Sequence, residues 1–266
     1  MMFIIIINKK LYNLMVNTMN ITLYSFILTF IAGFSTLIGS LLIFFKTKSN
    51  KIIIGSLAFA SGVMFCVSIL DLIPEAIELL NYKSIIEILI ITVFMALGMF
   101  FSMIIDKYIP SVENSSKNGL YRVGIISMLA IIMHNIPEGI ATFMASNTDI
   151  SLGISLTIAI ALHNIPEGIS IAVPIYYSTK SRGRALLYTL VSGLSEPFGA
   201  LLAFLFLKPF MNDFIMGILM ALIAGIMTHI AFYELLPTSF KYKNQKLTYI
   251  FFIIGLLFMT INHFIF

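Results

Sequence analysis

Eight apolar stretches follow one another along this chain, separated by short polar breaks at 46–51, 81–83, 106–117, 146–149, 178–184, 208–213 and 238–246. No other feature restricts the fold as much. A run of ~20 apolar residues is long enough to cross the hydrocarbon core of a bilayer as an α-helix. In lipid, a backbone has to satisfy its own N–H and C=O groups, which makes the helix the form open to such runs. Length and breakers predict helices over 22–45, 52–79, 84–105, 121–146, 151–177, 184–207, 213–237 and 247–266. The expected class is an all-α integral membrane protein with eight transmembrane helices. With 59% hydrophobic and 11% charged residues, the chain reads as solvated by lipid rather than water.

Charge orients the spans. The breaks after spans 1, 3, 5 and 7 carry Lys46, Lys48 and Lys51; Lys107, Lys117 and Arg122; Lys180, Arg182 and Arg184; and Lys241, Lys243 and Lys246. The other breaks carry only Lys83 and Lys208. Basic residues stay on the cytoplasmic side, so a multi-pass protein of the cytoplasmic membrane with both termini outside is expected. Lys9 and Lys10 oppose this assignment but are outnumbered. The net charge of +4 comes from these short loops, which lack the length and aromatic interleaving of a nucleic-acid surface. Cys66 is alone and lies in an apolar helix, where packing is its expected role. Residues 1–20 are too short in apolar run to span and have the wrong order for a secretory signal. They are expected to form a dispensable tail or to reflect a mis-assigned start, ahead of one membrane domain over 21–266.

The chain also resembles itself. Phe59-Ala60-Ser61-Gly62-Val63-Met64 with Asp71-Leu72-Ile73-Pro74 aligns without a gap to Leu222-Ile223-Ala224-Gly225-Ile226-Met227 with Glu234-Leu235-Leu236-Pro237. Gly33, Gly39 and Leu42 align with Gly193, Gly199 and Leu202. The hexapeptide His134-Asn135-Ile136-Pro137-Glu138-Gly139 returns as His163-Asn164-Ile165-Pro166-Glu167-Gly168. Span 1 thus pairs with 6, 2 with 7 and 4 with 5, each odd span with an even one. Partners run in opposite directions, the mark of inverted repeats (1–3 against 6–8, 4 against 5) with a substrate site near the midplane.

The hexapeptides carry the chemistry. Ionisable side chains at membrane depth usually mark an ion path. His and Glu four apart share one helix face, and imidazole with carboxylate suits borderline divalent metals such as zinc. Pro137 and Pro166 deprive the carbonyls of Met133 and Leu162 of their helical donors, and with the following glycines they are expected to loosen or unwind the helix. If the two spans face one another, His134, Glu138, His163 and Glu167 converge as two nitrogens and two carboxylates. Iron(II), manganese, cobalt and cadmium suit such a set as well as zinc. Asn135 and Asn164 sit about 100° round the helix and offer oxygens to an adjacent position that shares the glutamates.

Glu196, beside Pro197, is either a bridging ligand or proton acceptor for that second position or a carboxylate held by a helix–helix hydrogen bond. Thr36 holds the equivalent place in span 1. Asp71 and Glu75 at the end of span 2, and Glu234 with Pro237 at the end of span 7, read either as entrance and exit groups or as solvated interfacial residues. His229 is a relay or a satisfied structural histidine. Met64 and Met227 are expected to pack, and His263 to be interfacial.

With its paired HNIPEG motifs, Gly193-Leu194-Ser195-Glu196-Pro197-Phe198-Gly199-Ala200-Leu201 and proline-terminated acidic ends of spans 2 and 7, the chain resembles the ZIP (Zrt/Irt-like) metal-ion transporters, in particular their bacterial zinc-uptake branch. The likeness runs over about residues 22–266. It implies a binuclear metal site, with His134, Glu138, His163 and Glu167 at one position, Asn135, Asn164 and Glu196 at the other, and both motif glutamates bridging. It further implies metal import, commonly by a homodimer. Loop 106–122 lacks the His-rich tract of many eukaryotic members.

A divalent-metal transporter is therefore expected, with zinc as cargo and no resident cofactor. A Walker motif is absent, so no ATP drive is expected. A membrane di-metal enzyme is the alternative from another class. Its usual patterns, Glu-x-x-His in di-iron bundles and His-Glu-x-x-His in zinc proteases, are missing. A proton or sodium transporter is the third reading, and the repeated histidines argue against sodium.

Overall fold

The computed structural model describes residues 2–45, 49–81, 84–108, 116–207, 210 and 212–265, with side chains at 20–45, 50–81, 84–108, 119–207, 210 and 212–265. Lys46, Lys48, Lys83 and Lys208, and the side chains of Lys9, Lys10 and Lys117, lie outside the described residues. Among the described residues, eight helices are long and apolar enough to cross a membrane: α1 (Asn20–Phe44), α2 (Asn50–Leu80), α3 (Ile85–Tyr108), α4 (Gly119–Thr148), α5 (Ile150–Thr179), α6 (Arg182–Leu207), α7 (Asp213–Phe240) and α8 (Gln245–Ile265). They match the expected spans one for one. The helix that becomes α1 already begins at Met2, so it also runs through the stretch read as a tail.

The breaks have local causes. Asn81 and Lys180 end α2 and α5 in the left-handed region, at φ 47° and 57°, and each returns its N–H to the carbonyl four residues back, which satisfies an otherwise orphaned acceptor. Asp149 caps α5 by accepting from the N–H groups of Ser151 and Leu152. Ser181 and Asn212 cap α6 and α7 in the same manner.

Glycine positions define how the helices pack. A Cβ on Gly139 of α4 would strike the carbonyl oxygen of Glu196 on α6, and one on Gly199 of α6 would strike that of Ile136 on α4. The mirror contacts join α5 and α1: Gly168 against the carbonyl of Thr36, and Gly39 against that of Ile165. Outside this group, Gly62 and Gly255 lock α2 to α8, while Gly225 and Gly98 lock α7 to α3. Small residues let helices approach closely where lipid supplies no hydrophobic drive between them. The contacts interchange under 1↔6, 2↔7, 3↔8 and 4↔5, which is the inverted repeat expected from sequence, with the 3/8 pair now explicit. Gly33 and Gly193 pack carbonyl to Cα position across the two halves.

The repeat extends to a backbone defect. α2 widens into a π-helical turn at Ser68–Leu72, and α7 at Ile230–Leu235. Each ends two residues before the matching proline, Pro74 or Pro237. A proline ring crowds the carbonyl four residues earlier, and an inserted residue relieves the clash.

The expected unwinding at the two hexapeptides is corrected. Helix runs without interruption through Pro137 from Ser116 to Thr148, and through Pro166 from Ile150 to Thr179. Proline's fixed φ fits a helix, and only one hydrogen bond is forfeited. The adjoining glycines are pressed against the backbones of α6 and α1, leaving no space in which to open. α4 and α5 occupy the interior, whereas α3 and α8 lie at the periphery and turn Ile85, Leu89, Phe100, Ile253, Leu257 and Ile261 outward.

Candidate metal centre

Four side chains on α4 and α5 meet in the middle of the bundle. His163 Nε2 lies 2.6 Å from Glu138 Oε1. His134 Nε2 lies 3.4 Å from Glu138 Oε2 and 3.5 Å from Glu167 Oε1. His134, Glu138 and His163 each present a ligand atom within 4.8 Å of the others; Glu167 joins this trio through His134. Ligands at the usual zinc distances in a tetrahedron stand about 3.3–3.4 Å from one another. The two His134–carboxylate separations are therefore close to what an ion between them requires, and long for direct hydrogen bonds.

Beside this group lies a second. Asn164 donates its amide to Glu196 Oε2 at 2.8 Å and to the carbonyl of Ala32 at 3.0 Å. Asn135 donates to the carbonyl of Ser192 at 3.2 Å. Ala32 and Ser192 are repeat equivalents, so each asparagine clamps the neighbouring helix through nitrogen and keeps its oxygen free. The symmetry ends at the acid: Thr36 occupies the place opposite Glu196, so the carboxylate stands on one side only. All seven residues are buried.

Nine buried atoms of these residues have no hydrogen-bond partner: both ring nitrogens of His134, Nδ1 of His163, the amide oxygens of Asn135 and Asn164, Oε2 of Glu138, both oxygens of Glu167 and Oε1 of Glu196. An orphaned buried polar atom costs about 1–3 kcal/mol, and native interiors hold few. So many in one place, all nitrogens or oxygens, make a donor set compatible with a bound cation.

The centre opens to one end of the bundle. A cavity of ≈ 380 Å³ is lined by His134, Glu138 and His163 at its depth, and by Asp71, Glu75 and Glu78 of α2 nearer the surface. At the opposite end Arg122 of α4 donates to the carboxylate of Asp106 on α3 and, at 2.9 Å, to its carbonyl. Its other terminal nitrogen is 3.6 Å from Glu234 Oε1 on α7. The two acidic span ends thus differ: Asp71 and Glu75 line the open cavity, whereas Glu234 is tied to an arginine.

Of the remaining polar residues, His229 is satisfied by Ser102 at 2.9 Å and stacked on Tyr233, which is the structural role. Met64 and Met227 are packed in the apolar core. Cys66 is buried beside Thr260. His263 is not merely interfacial, because its Nδ1 pairs with Asp71 Oδ1 at 2.6 Å at the mouth of the cavity. Neither that pair nor the Arg122–Glu234 contact shows in local sequence, since the partners are far apart in the chain and no periodicity links them.

A family model described as ZIP Zinc transporter matches residues 112–263. Curated relatives span nearly the whole chain. The "Zinc transporter ZupT" of Clostridium perfringens is 38% identical over 92% of this chain and 97% of its own length. Proteins of the same name from Chlorobium luteolum and Streptococcus mutans are each 40% identical, over 89% and 90% of this chain and 95% and 96% of theirs. These are transporters rather than enzymes. On its sequence, its eight spanning helices and its match over most of the relatives' length, the chain belongs to the ZIP family of zinc transporters.

Proposed function

We propose that this chain imports divalent metal ions, zinc first among them, across the cytoplasmic membrane. The observation that carries the reading is the set of unpartnered nitrogens and oxygens at the crossing of α4 and α5. In the proposed binuclear centre, His134, Glu138, His163 and Glu167 hold one ion. Asn135, Asn164 and Glu196 hold a second, with Glu138 and Glu167 bridging. Iron(II), manganese, cobalt and cadmium fit the same donors. The membrane domain is taken as residues 21–266 and residues 1–20 as a tail, and the working unit as a homodimer.

Direction follows from charge. The basic breaks after α1, α3, α5 and α7 belong on the cytoplasmic side, which places both termini and the cavity mouth outside. An ion entering past Asp71 and Glu75 meets the imidazoles while Arg122 ties α4 to α3 and α7 at the inner end. Release inward requires that tie to part. The glycine contacts bind α1, α4, α5 and α6 into one block, and Gly217 packs α7 against α2, so the α2–α8 and α3–α7 pairs meet in a second. Sliding of the block against the pairs disturbs the fewest close contacts, as in alternating access.

The test is zinc uptake into liposomes holding the purified chain and a trapped zinc indicator. Uptake is expected for the unaltered protein and abolished by Glu138→Ala, with the variant still inserted. Unaltered rates in that variant would overturn the reading.

A further inference from the structure

His263 pairs with Asp71 outside the central set. His263 lies in the last turn of α8, and Asp71 in the π turn of α2. Both line the ≈ 380 Å³ cavity, together with Glu75 and Glu78. The contact runs through Nδ1 of the imidazole. A carboxylate that accepts the Nδ1 proton fixes the tautomer and leaves the lone pair on Nε2, the arrangement seen behind metal-binding histidines. Next to it, Asn262 is buried and lines the same cavity. Its amide nitrogen is turned to Met259 Sδ, and its oxygen has no partner. α2 and α8 both end at this mouth, and helix C-termini carry partial negative charge that favours cations.

We propose that His263, Asp71, Glu75 and the amide oxygen of Asn262 form a separate capture site for a borderline divalent cation of the zinc class, outside the central pair of positions. The proposal rests on the cavity being the entry path. Carboxylates alone would hold calcium or magnesium as readily, because hard cations prefer oxygen. One oriented imidazole biases the mouth toward zinc and its neighbours. Selection thus begins before the ion reaches Glu138 and His163 at the cavity's depth.

The experiment uses the purified full chain and zinc alone as probe. With the centre disabled by Glu138→Ala and Glu167→Ala together, residual zinc binding is expected. Adding His263→Gln or Asp71→Asn is expected to weaken it by about 10- to 100-fold, the usual cost of losing a ligand's support, and excess magnesium is expected not to displace it. In a chain with an intact centre, His263→Gln is expected to raise the half-saturating zinc concentration for uptake several-fold. Residual zinc indifferent to both mouth substitutions, or none at all while the unaltered chain transports normally, would overturn this site alone. Residual zinc lost with His263, when the unaltered chain moves no zinc into liposomes, would support the site and overturn the transport reading.

Discussion

Glu167 allows the strongest test of whether the centre is built for a cation rather than for stability. Both its carboxylate oxygens are buried without a hydrogen-bond partner, and His134 Nε2 stands 3.5 Å from Oε1. Glu167→Met keeps the length and removes the oxygens. Relief of unsatisfied burial, about 1–3 kcal/mol, is expected to stabilise the metal-free protein, which for a chain of this size corresponds to a Tm higher by roughly 2–12 °C. Zinc binding moves the other way. Removing one member of a close buried charge pair costs about 2–5 kcal/mol, so affinity falls about 30- to 5,000-fold. Glu167→Gln, which keeps two polar atoms in the same place, is expected to gain no stability. The assay is thermal unfolding in detergent with and without zinc, alongside a chelator competition titration. A metal-free Tm several degrees lower in Glu167→Met, with zinc affinity retained, would refute the reasoning: the carboxylate would then be structural.

Other expectations follow from the same geometry. Glu196→Gln preserves an oxygen for the Asn164 amide but loses the charge, so uptake slows while the histidine-containing position stays occupied; bound-metal analysis showing an empty protein would contradict two positions. Gly139→Ala and Gly168→Ala place a methyl against the backbone of α6 and α1. Both are expected to lower Tm despite alanine's better helix propensity of about 1 kcal/mol. Gly119→Ala, which meets open space, is expected to leave Tm unchanged or higher. Zinc affinity is expected to fall as pH is lowered, because neutral imidazoles and ionised carboxylates are the binding forms and protons compete; titrations at two pH values check this.

The legible part of the fold was set by lipid. Span lengths and breakers are dictated by bilayer thickness, so all eight helices could be placed, and motif spacing placed both His–Glu pairs on facing helices. Repeat pairs 1/6, 2/7 and 4/5 showed because tight helix approaches demand glycine and kinks demand proline. The 3/8 pair was silent because α3 and α8 are mostly lipid-facing, where any apolar residue serves; Gly98 and Gly255 are the matched positions that close helix packing constrains. Continuity of the motif helices was misjudged because the motif alone does not reveal that Gly139 and Gly168 are clamped from outside. The outer histidine was missed because its carboxylate lies on α2, brought near only by the α2–α8 packing at Gly62 and Gly255.

Anomalous diffraction at the zinc edge, from crystals of the unaltered chain grown with zinc, bears most directly on the centre itself. A peak among His134, Glu138, His163 and Glu167, with a neighbour toward Asn135, Asn164 and Glu196, is the predicted result. Crystals saturated with zinc that show no peak within coordination distance of these side chains would contradict it.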